Sequence, residues 1–141
     1  TVHERDVLDA RLMGADAVLL IVAALSVEEL KRFHALSRDL GLDALVETHS
    51  EAELEIALSV GADLVGVNQR NLTTFEVDHD RAARMAVLIP DGVVAVAESG
   101  VRDPADAATL RDAGYAAILV GETLVTSGDA SAAVAALREA V

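Results

Sequence analysis

The chain has 141 residues, of which 52% are hydrophobic and 2% aromatic, and its formal net charge is −13 at pH 7. This hydrophobic content predicts a folded domain rather than a disordered chain, and the charge argues against non-specific nucleic-acid binding, which needs a cationic surface. The sequence contains no cysteine, which excludes disulfides and a thiol nucleophile.

Five short apolar runs recur along the chain and predict β-strands. Each run is continuously apolar rather than alternating, which is typical of parallel strands covered on both faces. The predicted strands are Val18–Val22, Ala44–Val46, Leu64–Val67, Val93–Ala97 and Ala117–Val120.

Helices are predicted between these strands, and glycines mark where several of them end. About six helices are expected, the first near His3–Met13 and the last near Asp129–Ala140. The apolar face of the second is predicted to carry Leu30, Phe33, Leu36, Ser37 and Leu40, and that of the third to carry Ala52, Ile56 and 58–60. Four glycines stand at expected left-handed helix ends: Gly14, Gly41, Gly61 and Gly114.

The alternation of helices and strands predicts an α/β fold with a parallel sheet. We interpret it as a partial (β/α)8 barrel of the TIM-barrel type, in which residues 1–141 form the C-terminal part of one barrel domain. Five strands are too few to close such a barrel. The missing N-terminal half of the barrel is therefore an expected partner. The alternative is self-association through the open sheet edge at Val18–Val22.

Two glutamates come directly after predicted strands, where ligands bind in parallel α/β proteins. Glu47 follows Ala44–Val46, and Glu98 follows Ala97. A partly desolvated carboxylate at such a position can act as a general acid or base, so both are candidate catalytic residues. The alternative is an exposed loop carboxylate, or one that only pairs with a lysine or arginine.

Asn68 and Arg70 follow the third strand and lie two residues apart, so in extended geometry they share one face. An amide and a guanidinium suit a carboxylate or hydroxyl ligand. We expect Asn68 to contact a ligand. Arg70 either binds ligand or holds Glu47 or another rim carboxylate in place.

Glycine turns close the last two strands, at Ser99-Gly100 and Gly121-Glu122. In barrels, the loops after the last two strands often bind phosphate through backbone amides. The sequence therefore predicts a phosphorylated small-molecule ligand here. Asp103-Pro104 is predicted to cap the helix that follows.

No metal site is expected, because the spacing of the histidines and carboxylates matches no metal-ligand set. His49 could lie near the site, whereas the other histidines are predicted on helix surfaces or loops: His3, His34 and His79. Asp78, Asp80 and Asp91 are expected in caps and turns. The chain has no apolar run long enough to span a bilayer and no signal segment, so we expect a cytoplasmic location without a membrane partner.

Together these motifs resemble the C-terminal part of the indole-3-glycerol phosphate synthase family, and the resemblance covers nearly the whole chain. The Asn-x-Arg-Asn-Leu segment and the Glu-Ser-Gly turn are specific to this family when they occur together, although neither is specific alone. The matching segments, in family order, are Gly14–Ile21, Leu45–His49, Gly66–Leu72, Ala97–Val101 and Leu119–Leu124.

The resemblance implies ring closure of 1-(2-carboxyphenylamino)-1-deoxyribulose 5-phosphate with loss of carbon dioxide and water, without a cofactor. It implies that Glu47 is the acid–base glutamate of the dehydration, that Asn68 contacts substrate and that Arg70 supports the rim. Glu98 and Ser99 match residues that contact substrate hydroxyls or orient catalytic groups. Backbone amides hold the phosphate at the positions that match Gly100, Gly121 and Glu122.

The family's catalytic lysine lies in a Lys-Asp-Phe motif upstream of the segment that begins here, and a second lysine and a glutamate end its first strand. Lys31 is the only lysine in this chain, so we expect no synthase activity from the chain alone. Two alternatives remain open. One is a non-catalytic partial barrel that acts by assembly. The other is a phosphate-binding barrel isomerase of tryptophan or histidine biosynthesis, although such enzymes use cysteine or paired aspartates where this chain has glutamates.

Overall fold

The computed structural model describes residues 1–140, in which seven α-helices and five β-strands alternate as far as the last two helices, which are consecutive. A short 3-10 helix, Val22–Ala24, follows the first strand. The strands are β1 Ala17–Ile21, β2 Asp43–Thr48, β3 Leu64–Asn68, β4 Val94–Glu98 and β5 Ala117–Leu119. The helices are α1 Glu4–Leu12, α2 Val27–Asp39, α3 Glu51–Ser59, α4 Arg81–Ala86, α5 Pro104–Asp112, α6 Glu122–Thr126 and α7 Ala130–Ala140.

The strands form one sheet in the order β1-β2-β3-β4-β5, the order of the chain. β1 and β2 are parallel, with Ala17 opposite Asp43 and Ile21 opposite Glu47. β4 and β5 are also parallel, with Glu98 opposite Leu119. The predicted parallel α/β architecture is therefore confirmed.

The chain divides into two compact units, the first at Thr1–Gly66 and the second from Val67 onwards. Apolar side chains from strands and helices form the core of each unit. In the first they include Val7, Leu20, Leu30, Val46 and Leu54, and in the second Val67, Met85, Ala97, Leu110 and Tyr115.

The predicted left-handed glycines are confirmed, since Gly14, Gly41, Gly61 and Gly114 all have positive φ. At the end of α1, the Gly14 amide donates to the Arg11 carbonyl and the Ala15 amide to the Ala10 carbonyl. These two bonds form a Schellman motif, which satisfies the last carbonyls of the helix and returns the chain towards β1.

Three details differ from the prediction. A seventh helix, the five-residue α6, begins directly after Gly121, because the chain turns tightly there. His34 is 4% exposed rather than on a helix surface, because α2 turns residues 30, 33, 34 and 37 inward at helical spacing. Ala52 is exposed, because α3 buries Leu54 and Ala57 instead.

None of the helices in the described part of the chain is both long enough and apolar enough to cross a bilayer.

Candidate functional site

In the first unit, Glu47 lies inside β2, which extends one residue further to Thr48. Its side chain is buried, and its Oε1 atom lies 3.2 Å from Nε2 of His49. Thr48, also buried, donates its hydroxyl to the Gly66 carbonyl at 2.9 Å and fixes the end of the strand. The carboxylate is therefore buried rather than exposed, and it lies beside an imidazole.

His49 is held between two carboxylates. Its Nδ1 atom lies 3.2 Å from Oε2 of Glu53, and its backbone amide donates to the same oxygen at 2.8 Å. The hydrogen bond to Glu47 raises the pKa of His49, and Glu53 adds to the rise, while burial opposes it. Glu53 is not among the predicted site residues, although the Ser50-x-x-Glu53 spacing is the signal of a helix start where the glutamate folds back.

In the second unit, Asn68 is the last residue of β3 and is 6% exposed. Its side-chain Oδ1 atom accepts a hydrogen bond from the Arg70 backbone amide at 2.9 Å, and its backbone carbonyl accepts one from Arg81 Nη1 at 2.9 Å. The amide side chain is thus fixed in orientation at the end of the strand.

Both terminal nitrogens of the Arg70 guanidinium make hydrogen bonds. Nη2 lies 2.5 Å from Oε2 of Glu122, and Nη1 donates to the Phe75 carbonyl at 3.2 Å. Phe75 has a φ of 62°, a left-handed conformation that is rare for a bulky residue. In this structure Arg70 therefore holds a rim carboxylate, as one of its two sequence interpretations stated, and that carboxylate is Glu122.

Glu98 is the last residue of β4 and is 2% exposed, and Ser99 and Gly100 after it both have positive φ. Gln69, the residue directly after β3, holds this turn: its backbone amide donates to the Glu98 carbonyl at 2.9 Å and its Nε2 to the Ser99 carbonyl at 2.8 Å. The sequence analysis did not single out Gln69. Its position between Asn68 and Arg70 was the available signal.

The surroundings of Gly100 leave no room for a side chain at this position. A Cβ atom at this position would lie 2.6 Å from Cγ1 of Val77, and the φ of 73° already disfavours other residues. The Thr123 hydroxyl donates to the Val101 carbonyl and ties the turn after β5 to the turn after β4.

The second unit contains an open cleft of about 960 Å³ that brings five of the predicted site residues together. They are Arg70, Ser99, Gly100, Gly121 and Glu122. Asn68 and Glu98 are buried at the ends of β3 and β4, and Glu47 belongs to the first unit. Within residues 1–140, no group of three or more histidine or carboxylate side chains could hold a metal ion.

Solved structures with a similar fold include a 3-hexulose-6-phosphate synthase and a thiamine phosphate pyrophosphorylase from Pyrococcus furiosus. The first has a TM-score of 0.81 at 17% identity and covers 98% of this chain and 68% of its own. The second has a TM-score of 0.75 at 20% identity and covers 95% of this chain and 63% of its own. At these identities the likeness shows the fold alone, which is of the TIM-barrel type.

Curated relatives are far more similar in sequence. The indole-3-glycerol phosphate synthase of a Nocardioides species is 52% identical over 133 residues, which are 94% of this chain and 51% of the relative. That of Chloroherpeton thalassium is 49% identical over 126 residues, 89% of this chain and 48% of the relative. The chain spans about half the length of the curated relatives it matches.

The family model described as "Indole-3-glycerol phosphate synthase" matches residues 1–137. With nearly the whole chain covered by the model, and with relatives near 50% identity, the chain belongs to the indole-3-glycerol phosphate synthase family.

Proposed function

We propose that this chain provides the acid–base glutamates and the phosphate-binding turns of an indole-3-glycerol phosphate synthase. The reaction is ring closure of 1-(2-carboxyphenylamino)-1-deoxyribulose 5-phosphate with loss of carbon dioxide and water, a carboxy-lyase step of tryptophan biosynthesis. The observation that carries the proposal is the burial of both glutamates at strand ends, with Glu47 4% and Glu98 2% exposed. Burying a carboxylate costs solvation, and a catalytic role explains why two are kept there.

Each buried group has a proposed role. Glu47 transfers the proton of the dehydration step, and His49 at 3.2 Å orients its carboxylate. Glu98 and Ser99 contact the substrate hydroxyls, and the fixed amide of Asn68 contacts the substrate. Arg70 supports the rim through Glu122 and supplies positive charge to the cleft.

The substrate phosphate is proposed to bind at the two glycine turns, through backbone amides of Gly100, Gly121 and Glu122. Gly121 has no side chain to block an anion, and nothing lies within 4 Å of where its Cβ would be. The bond from Thr123 to Val101 holds the two turns at a fixed spacing, which suits a tetrahedral ligand.

We also propose that the chain alone is inactive. Lys31 is its only lysine and lies exposed on α2, so the chain offers no lysine for the general-acid step that the family assigns to that residue type. On this proposal residues 1–141 form the C-terminal part of one barrel domain, its partner is the N-terminal half of such a barrel, and the enzyme works in the cytoplasm.

Complementation tests the proposal. The purified chain is mixed with a fragment carrying the remaining half of the Nocardioides relative, and indole-glycerol phosphate is measured by its fluorescence. We expect no product from the chain alone and product from the mixture. Glu47→Gln or Glu98→Gln should lower the rate of the mixture by about 10²–10⁴-fold.

Glu51→Gln is the matched control, because Glu51 is an exposed glutamate at the start of α3. It should leave the rate unchanged. Product from the chain alone would contradict the inactivity proposal, and full activity of the Glu47→Gln mixture would contradict the assigned role of Glu47.

A second candidate function, assembly through the sheet edge, rests on a different observation. β1 is the first strand in the sheet order, and two large apolar side chains just before it, Leu12 and Met13, are 85% and 87% exposed. An edge strand, together with exposed apolar side chains at the end of the preceding helix, favours pairing with a second copy of the chain.

A further inference from the structure

The cleft of the second unit contains two arginines, and each is already bound to a carboxylate. Arg70 pairs with Glu122 at 2.5 Å. Arg102 binds Asp106 through two bonds of 2.8 Å, from Nε and Nη2. These bonds hold the pKa of Asp106 below its usual range, chiefly through the Arg102 side chain. Each guanidinium therefore already spends part of its charge and of its hydrogen-bond donors on a carboxylate.

His79 is a third basic side chain on the same cleft, contributed by the loop between β3 and α4. It is exposed, so its ring can meet a ligand. Among the described residues no ion pair or hydrogen bond engages its ring. The field of a protonated His79 contributes to the low pKa of Asp106, but Arg102 already satisfies that carboxylate.

The ring of His79 lies against the glycine turn. Its Cε1 atom is 3.4 Å from the position that a Cβ of Gly100 would take. A phosphate held by the amides of this turn therefore comes close to the imidazole. An imidazole gains its charge near neutral pH, where a phosphate monoester is largely dianionic.

We propose that protonated His79 is a ligand of the substrate's phosphate monoester, an inference that rests on the proposed function. Among the described basic side chains of the cleft, its ring is the one that no carboxylate binds. The charged groups around it are Asp78 and Asp80 on its own loop, Arg70 after β3, Arg102 and Asp106 at the start of α5, and Glu122 at the start of α6. Asp78 is itself held by Arg84 at 2.6 Å.

The full chain is titrated with inorganic phosphate and followed by NMR, through the backbone amides of Gly100 and Gly121 and the ring Cε1–H signals of the four histidines. At pH 6.5 we expect both amides and the His79 ring to shift. His79→Gln should weaken phosphate binding about fivefold at that pH, as loss of an exposed charge-assisted hydrogen bond does.

His3→Gln is the control, because His3 is an exposed histidine at the start of α1 in the first unit. It should bind phosphate as the unsubstituted chain does. Circular dichroism of both variants checks that they fold.

Two results would overturn the inference, and they separate it from the proposed function. If the glycine amides shift but the His79 ring does not, and His79→Gln binds normally, His79 is not a ligand while the phosphate turns stand. If neither the amides nor the ring respond to phosphate, the phosphate site itself is wrong and the inference falls with it.

Discussion

At the residue scale, His49 lies between the buried Glu47 and Glu53 of the first unit. Its imidazole is 13% exposed and lies 3.2 Å from a carboxylate on each side. Because its folded pKa is raised, protonated His49 stabilises the fold. That contribution is fully present below the unfolded histidine pKa of about 6.5 and is lost as pH rises through the higher folded pKa.

Glu47→Gln should lower the pKa of His49, and by more than Glu53→Gln does, because the hydrogen bond to Glu47 is the largest cause of the rise. The free energy of unfolding that Glu47→Gln removes should be greatest near pH 6 and shrink as pH rises. NMR titration of the His49 ring and urea unfolding at several pH values measure the two effects.

An unchanged His49 titration in Glu47→Gln would show that the imidazole does not bind Glu47 in solution. An equal fall in both variants would mean that the two carboxylates hold it equally. Only the first result would mean that His49 is not the group that orients Glu47.

The contribution of His34 to stability has a pH dependence opposite to that of His49. Burial lowers its pKa, so its neutral form belongs to the folded state and stability is lost as pH falls below about 6.5. Helical spacing alone did not reveal its burial, because a histidine on an inward face is unusual. Only the packing of α2 placed it there.

At the element scale, the start of α5 shows how local sequence fixes a helix beside the cleft. Oδ1 of Asp103 accepts hydrogen bonds from the amides of Ala105 and Asp106 at 2.9 and 3.0 Å, and Pro104 occupies the first turn. This confirms the predicted cap.

Asp103→Ala should lower the free energy of unfolding by about 1 kcal/mol, because two amides of the first turn lose their acceptor. Asp103→Asn keeps an acceptor oxygen at the same position and should cost far less. Urea unfolding measures both. Equal losses would mean that charge, rather than the hydrogen bonds, stabilises the helix start.

The predicted elements were found because each carries its own local signal. The five apolar runs, the glycine helix ends and the Asp103 cap depend on neighbours within a few residues. The ends of the strands were less well predicted. β2 continues through Glu47 and Thr48, and Glu47 pairs with Ile21 of β1, a partner far along the chain.

At the scale of the whole molecule, the proposed assembly through the β1 edge of the sheet can be tested by the oligomeric state. If copies pair through β1, sedimentation velocity should show a dimer that grows with protein concentration. Replacing the exposed Leu12 and Met13 by lysine should reduce that association, because charge beside a strand edge opposes pairing.

Val125→Lys is the matched control, because Val125 is 82% exposed on α6 in the second unit. It should leave the association unchanged. A monomer at all concentrations would rule out assembly through the edge. Association that persists in the Leu12 and Met13 variant would mean that the copies associate through another surface.

The sequence by itself determined the strand–helix alternation, the positions of Glu47, Asn68 and Glu98 at strand ends, and the family. These follow from periodicity, glycine conformations and motif spacing, all of which act over short stretches of chain. The tertiary structure decided which groups meet: Arg70 with Glu122 across 52 positions of sequence, Gln69 with the Ser99 turn, and His79 against Gly100. Such partners are set by how strands and loops pack, and no local sequence pattern encodes which distant residues come into contact.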